Sequence, residues 1–396
     1  MYNQVNEKNR KKIPRSKFDN NSLEMIKQRQ DFINKKTGIL LKNLSNYTIE
    51  TKKLKGNIEN FIGVAQVPIG IAGPLLVNGK YAQGEFYVPL ATTEGTLVAS
   101  YNRGMKILYE SGGATTTICD DIMQRAPVFI FKNARKAKKF GIWVKENFYD
   151  IKKVAEKTTR IGKLRDIEQY ISNKFLFLRF NYHTGDAAGQ NMTGKATFFA
   201  CEWIKSNYPD IEHYILESNL ATDKKASKIN MLRTRGKRVT AEVVIPEDML
   251  RNRFNVSPYR LQRGLQITSI ASFMAGSVSN AYHSTNGITA IFISTGQDVA
   301  NVAESSSAIM FSERTYEGDF YCSITLPSLI VASYGGGTGL ATQKECLELM
   351  DCYGAGKVNK LTEIIAATVL AGEISLMLAI STNEWVSSHE SLGRNR

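Results

Sequence analysis

The sequence predicts an α+β protein in which a compact α+β unit is inserted into a larger domain. Three observations lead there. Between residues 58 and 90 short apolar pieces are punctuated by Val67, Pro68, Gly70, Gly73 and Pro74, the signature of strands and turns. Leu97, Tyr101, Met105 and Leu108 then recur at spacings of four, four and three, one face of a helix. From about residue 127 to 216 the chain reads strand–helix–strand–helix–strand, after which the pattern of residues 58–126 resumes.

In chain order, residues 1–20 read as frayed, and a helical pattern over 21–36 opens with Asn21 and Glu24 placed as a capping box. Phe86, Tyr87 and Val88 read as a strand that Pro89 ends, and Thr92, Thr93 and Glu94 stand before the 97–108 helix. The inserted unit holds a basic run at 132–139, a helical middle, a strand at 175–180, a glycine-opened helix within 184–204 and a strand at 214–216. Beyond it come a strand at 239–245, a helix at 257–276 and an apolar strand at 289–293. The apolar stretch 364–380 is interrupted by Glu373. A membrane span needs about 20 mostly apolar residues, so this stretch reads as a buried core helix. A polar tail follows.

Apolar residues make up 43% and charged residues 22%, enough for an ordinary core. The net charge of +14 suits anionic partners, or is a solvated lysine excess. The run at 132–139 has the charge to hold nucleic acid but no nucleic-acid motif beside it, so a solvated helix face is expected. Five cysteines without a CxxC pair read as reduced thiols of a cytoplasmic protein, and four histidines exclude a histidine-rich metal site. Residues 1–17 have no apolar stretch and are not a secretory leader. Gly354, Gly356 and Lys357 fail as a phosphate loop, because Asp351 and Val358 stand where glycine and Ser or Thr are needed. No GxGxxG follows a strand, so a nicotinamide cofactor would bind without that fingerprint.

Several segments place reactive groups in polar or glycine-rich settings. Glu94, in Ala-Thr-Thr-Glu-Gly at a strand-to-helix junction, is either a helix-capping carboxylate or an acid. Lys224 stands beside Lys225; adjacent ammonium groups lower each other's pKa if sequestered and are otherwise surface charges. Asp298 follows Gly296-Gln297 at the end of the apolar run, where a turn aspartate or a catalytic one fits. His389 matters only if the tail folds over a site. Asp186 to Met192 opens a helix with small residues, as a phosphate site or a plain turn. The glycine-rich run from Gly335 to Gly339 permits close backbone approach.

Taken in register, these segments resemble the 3-hydroxy-3-methylglutaryl-CoA (HMG-CoA) reductase family, over about residues 58–396. The match runs through Glu59-Asn60-Phe61-Ile62-Gly63, Pro68-Ile69-Gly70-Ile71-Ala72-Gly73-Pro74-Leu75 and Ala91-Thr92-Thr93-Glu94-Gly95. It continues with Asn102-Arg103-Gly104, Thr222-Asp223-Lys224-Lys225, Gly296-Gln297-Asp298 and the Gly335 run. The resemblance is to the soluble catalytic portion, nearest the NADPH-using class I type, without the membrane anchor of some members. It implies a large domain around a central helix with an inserted ferredoxin-like cofactor domain. The expected divisions are a helical region at 1–50, large-domain parts at 51–126 and 217–380, the NADPH domain at 127–216, and a mobile tail at 381–396.

The resemblance further implies a four-electron reduction of HMG-CoA to mevalonate and free CoA, with two NADPH used in succession. Lys224 would stabilise the developing oxyanion, Glu94 would give a proton to the aldehyde oxygen, Asp298 would tie the two together, and His389 would protonate the departing thiolate. Arg125, Asp223, Lys225 and Asn286 would bind the substrate carboxylate, while Asn102 and Arg103 would meet CoA. The dinucleotide would lie on Asp186, Ala188, Gly189, Gln190 and Asn191, with Thr159, Arg160 and Arg394 at the 2′-phosphate. A homodimer is implied, with Glu94 and Asp298 facing the Lys224 loop across the interface; neither nucleic acid, membrane nor metal is expected.

Departures from the family pattern are Ala188 and Gln190 for two methionines, Glu217 for a serine, and Ile267 for a carboxylate-binding lysine, with Arg260 and Arg263 nearby. They keep open a divergent reductase of a related acyl-CoA. The basic charge keeps open a non-catalytic nucleic-acid-binding protein.

Overall fold

The computed structural model describes residues 11–382. After helix α1 (Leu23–Thr37) come β1 (Ile69–Gly79), β2 (Gln83–Ala91), α2 (Leu97–Glu110) and β3 (Ala114–Arg125). Then follow β4 (Val128–Ile130), α3 (Ala134–Glu146), α4 (Phe148–Glu156), β5 (Lys163–Ser172), β6 (Phe175–His183), α5 (Gln190–Asn207) and β7 (His213–Ile215). The remainder is α6 (Lys228–Arg233), β8 (Gly236–Ile245), α7 (Glu247–Phe254), α8 (Pro258–Met274), α9 (Ser284–Thr295), α10 (Val302–Ser305), β9 (Ile309–Arg314), β10 (Phe320–Leu329), α11 (Ala341–Leu349) and α12 (Val358–Ser381).

The architecture is mixed α/β with a largely antiparallel sheet, in the order β7-β4-β6-β3-β8-β10-β9; β1 joins β3 and β2, and β5 joins β6. Strand β3 holds the two ends together. Its residues Thr115 to Ile122 pair with β8, and its last three, Met123 to Arg125, pair with β6. Two cores follow. The larger packs α2, α9 and α12 against β1, β3, β8 and β10. The smaller gathers Phe129, Phe131, Phe140, Leu178 and Phe180 with Ala200 and Ile204 of α5.

Helix α12 is the axis of the larger core. From Leu361 to Ala379 all its residues but one are buried, so it is an apolar core helix although its length and hydropathy would span a membrane. Its enclosure demands close approach: a Cβ on Gly104 of α2 would lie 1.8 Å from the Ala371 carbonyl oxygen. Two carboxylates are buried on this helix. Glu363 accepts the N–H groups of Lys80, Tyr81 and Ala82 at 3.2, 2.8 and 2.6 Å, and Glu373 accepts those of Tyr282 and His283 at 2.7 and 2.8 Å. Burial pushes the Glu373 carboxyl above its ordinary pKa.

Some elements differ from expectation for identifiable reasons. The first helix is capped by Ser22, whose hydroxyl accepts the Met25 N–H, so the Asn21–Glu24 capping box is not formed. Strand β2 continues through Pro89 because β2 pairs only with β1 and leaves its other edge free. The apolar run 289–293 belongs to helix α9, not to a strand; enclosure on all sides removed the periodicity that separates the two. The helical middle of the insertion contains β5, whose charged, half-exposed residues hide its alternation. Strands β3, β9 and β10 are additions to the sequence reading. The basic run falls on α3, which buries Ala137 and Phe140 and leaves Arg135, Lys138 and Lys139 in solvent.

Candidate active site

The loop between β7 and α6 carries Lys224. Asn219, Thr222 and Lys224 have φ of 66°, 57° and 56°, a left-handed conformation that non-glycine residues keep only when surroundings enforce it. Here the enforcement is visible. The Lys224 backbone N–H donates to Glu304 Oε1 at 3.0 Å, and the Thr222 hydroxyl donates to Asn230 Oδ1 at 2.6 Å. Behind the loop lies Arg235, fully buried, with Nε 3.3 Å from Glu304 Oε1 and Nη2 2.7 Å from Asp223 Oδ1. Glu304 is also fully buried, and desolvation raises its carboxyl pKa against the lowering pull of Lys224 N–H and Arg235.

The Lys224 ammonium reaches Asp298, Nζ to Oδ2 2.9 Å. The hydrogen bond that Lys224 donates to Asp298 holds the lysine pKa above its usual value, opposed by partial desolvation. Asp298 is fixed in turn: its Oδ1 accepts the Ala300 N–H at 3.1 Å. The preceding Gln297 clamps Ala332 from both sides, at 2.9 and 2.8 Å. Gly296, at φ 70°, ends α9 against the Gly335 run, where a Cβ would meet the Gly337 oxygen at 2.4 Å. One expectation is corrected here. Lys224 and Asp298 meet within one chain, so Asp298 need not come from across an interface. Both side chains are 45% exposed in the single chain.

Glu94 lies elsewhere. It is exposed, follows β2 and lines a cavity of about 340 Å³ with Asn286, whose Nδ2 is 3.5 Å from Glu94 Oε1. Asn286 sits in the first turn of α9 and Asp298 beyond its last; at about 1.5 Å per residue, the intervening helix spans roughly 14 Å. The carboxylates acting electrostatically on Lys224 are Asp298, Asp223 and Glu304. Glu94 caps no helix: α2 starts at Leu97 without a side-chain cap.

At the start of α5, Gly189 takes φ 79° and no side chain caps the helix, so the N–H groups of its first turn lack a capping acceptor. Ala188 is half-buried and Asn191 exposed. The Thr159 hydroxyl lies 3.0 Å from Met192 Sδ, which brings the exposed Arg160 alongside this turn. Asp186 has a structural task instead of an open one: its carboxylate accepts the N–H groups of Gly356 and Val358 at 2.9 and 3.3 Å, capping the N-terminus of α12. Gln190 donates to Asp223 Oδ1 at 3.1 Å and to Asn301 Oδ1 at 3.0 Å, joining the α5 turn to the lysine loop.

Arg125, the last residue of β3, donates through Nη2 to the Gln190 carbonyl at 3.0 Å and pairs through Nη1 with Glu217 Oε2 at 2.5 Å. Lys225 is exposed and donates to the Asp223 carbonyl at 2.9 Å. Asn102 accepts the Gly73 N–H at 3.0 Å, and Arg103 donates to the Ser375 hydroxyl and carbonyl at 2.9 and 2.6 Å, binding α2 to α12. Ile267 is 56% exposed on α8, and Arg260 and Arg263 are exposed on the same helix. His389 and Arg394 lie outside the described residues. The sequence reading missed Glu304, Arg235 and Asn301. No periodicity or motif marks them, because polar and charged residues look solvated until the fold buries them.

Comparison with known proteins matches residues 25–394 to the family model described as hydroxymethylglutaryl-coenzyme A reductase. A 3-hydroxy-3-methylglutaryl-coenzyme A reductase of Pyrococcus abyssi is 44% identical over 374 residues, covering 92% of each chain. One of Methanocaldococcus jannaschii is 43% identical over 376 residues, again covering 92% of each. The solved class II 3-hydroxy-3-methylglutaryl-CoA reductase of Streptococcus pneumoniae, bound to NADPH, superposes with a TM-score of 0.68 at 19% identity, covering 89% of this chain and 86% of that one. The lysine loop, its aspartate partner and the sequence matches agree, and the chain belongs to the hydroxymethylglutaryl-coenzyme A reductase family of oxidoreductases.

Proposed function

We propose that this chain reduces HMG-CoA to mevalonate and free CoA, consuming two NADPH and two protons per thioester. The observation that carries the reading is the Lys224 ammonium, paired with Asp298 at 2.9 Å on a loop locked from behind by Glu304 and Arg235. A positioned cation stabilises negative charge growing on the acyl oxygen far better than mobile water does, because its orientation is set beforehand. Glu94, beside the Asn286 cavity, supplies the proton to the aldehyde oxygen. His389 protonates the thiolate.

The residues at α5 fit a dinucleotide phosphate: an uncapped helix start, Gly189 without a side chain in the way, and Arg160 placed for the 2′-phosphate that NADH lacks. Bound there, NADPH supplies hydride to the thioester carbon and then to the aldehyde. Arg394 adds to the 2′-phosphate contact. Residues 127–216 form the cofactor domain; the β4-α3-α4-β5-β6-α5-β7 succession and the order β7-β4-β6-β5 favour a ferredoxin-like topology. The large domain comprises 51–126 and 217–380. We place the chain in class I. The protein works in the cytoplasm as a homodimer. The separation of Glu94 from Lys224 along α9 calls for Glu94 of a partner subunit, and the exposed Ile267, Ile270, Phe273 and Met274 of α8 offer an apolar face for subunit contact.

The test is stoichiometric. Two moles of NADPH should be oxidised per mole of HMG-CoA, and Lys224→Ala should lower kcat by roughly 10²–10³. A ratio of one, or a Lys224→Ala enzyme of normal kcat, contradicts the reading. A second reading, reduction of an acyl-CoA without a free carboxylate, is favoured by the engagement of Arg125 with Glu217 and by the apolar Ile267. Equal or better turnover of such an acyl-CoA would establish it.

A further inference from the structure

We propose that Glu217 is a specificity-determining residue: an internal carboxylate that occupies Arg125 and must be displaced by the free carboxylate of the acyl group. The inference rests on the reading of Arg125 as the acyl-carboxylate receptor. The two partners are unequally held. The Arg125 side chain is only 14% exposed, and β3 ends at this residue, paired with Phe180 of β6. Its Nη2 is committed to the Gln190 carbonyl, and its buried Nε finds no partner among the described residues. The Nη1 edge, where Glu217 Oε2 sits at 2.5 Å, is therefore the side open to an incoming anion.

Glu217 is a loop residue, 36% exposed. Among the described residues its other oxygen accepts only the exposed Asn219 N–H, at 2.9 Å, a bond that water replaces at little loss. A second carboxylate arriving at Nη1 meets like charge unless Glu217 swings away. Each substrate carboxylate thus competes with a tethered one. An acyl-CoA lacking the terminal carboxylate escapes this competition, as does CoA itself. The competition acts equally on the ground state and the transition state, so it should weaken substrate binding and leave the chemical step alone.

The experiment is equilibrium titration of wild type, Glu217→Gln and Glu217→Ser with HMG-CoA in the absence of NADPH, with CoA alone as the control. Both variants should bind HMG-CoA roughly five- to tenfold more tightly, and CoA unchanged, as expected for relief of one like-charge contact. Glu217→Gln keeps the side chain's size and carries the test should Glu217→Ser fail to fold. Unchanged or weaker HMG-CoA binding by a folded Glu217→Gln protein overturns the proposal. Tighter binding by the variants without NADPH oxidation by wild type would defeat the reductase reading and leave the Glu217 competition standing.

Discussion

At the scale of residues, the site is a charge held in place by other charges. Lys224 keeps its proton chiefly because Asp298 hydrogen-bonds to it, while partial desolvation pulls the other way. The sign of the pH dependence follows. In the wild type the ammonium persists to higher pH than a free lysine. Asp298→Asn removes the largest raising contribution and keeps the desolvation, so the alkaline limb of kcat/KM should move to lower pH. A pH profile checks this; an unmoved limb would mean that Lys224 titration does not govern the rate. Lys224, Asp298 and Gln297 were legible because they stand in recognisable short motifs. Glu304 and Arg235 were not, since only the packing of α10 and β8 behind the lysine loop turns two ordinary charged residues into a fully buried pair. The same applies to the Arg125–Glu217 pair, whose members are distant in sequence and joined by β3 reaching the small unit. Asp186 was expected at the cofactor, and its task as the cap of α12 was not legible.

At the scale of elements, α12 shows how an apolar helix can carry polar work. Glu363 is its fully buried tie to the β1–β2 turn, accepting three backbone N–H groups. Replacing it by alanine leaves those donors without their buried acceptor. Glu363→Ala should therefore destabilise the protein by about 2–4 kcal/mol, read as a lower midpoint of denaturant unfolding with the slope unchanged. A loss below about 0.5 kcal/mol would mean that the turn finds other acceptors. Helix α2 was readable from spacing, and the basic α3 from its run of solvated charges. Helix α9 was mistaken for a strand because an element apolar on every side carries no period. Strand β5 was passed over for the opposite reason, its charged residues masking the alternation.

At the scale of the whole molecule, several ties lock the inserted unit to the larger core. Among them are the continuous strand β3, the Asp186 cap on α12, and the Gln190 bridge to Asp223. The α+β class and the resumption of the large-domain pattern after the insertion were legible, because they depend on composition and on the order of local patterns. The pairing of β3 with both halves was not, since nothing local to 114–125 announces two different partners. One chain joins Lys224 to Asp298, and α9 keeps Glu94 apart from them; in the proposed homodimer the partner subunit would bring its own Glu94 to this pair. Mixed subunits test this directly. Lys224→Ala and Asp298→Ala chains, each inactive alone, are co-expressed and assayed for NADPH oxidation with HMG-CoA. A Lys224→Ala and Glu94→Gln mixture serves as the control for subunit exchange. With Lys224 and Asp298 acting from the same chain, the first mixture should stay inactive, whereas the control should regain about a quarter of wild-type activity through its mixed dimers. Recovery of about a quarter in the first mixture would contradict the intrachain pair.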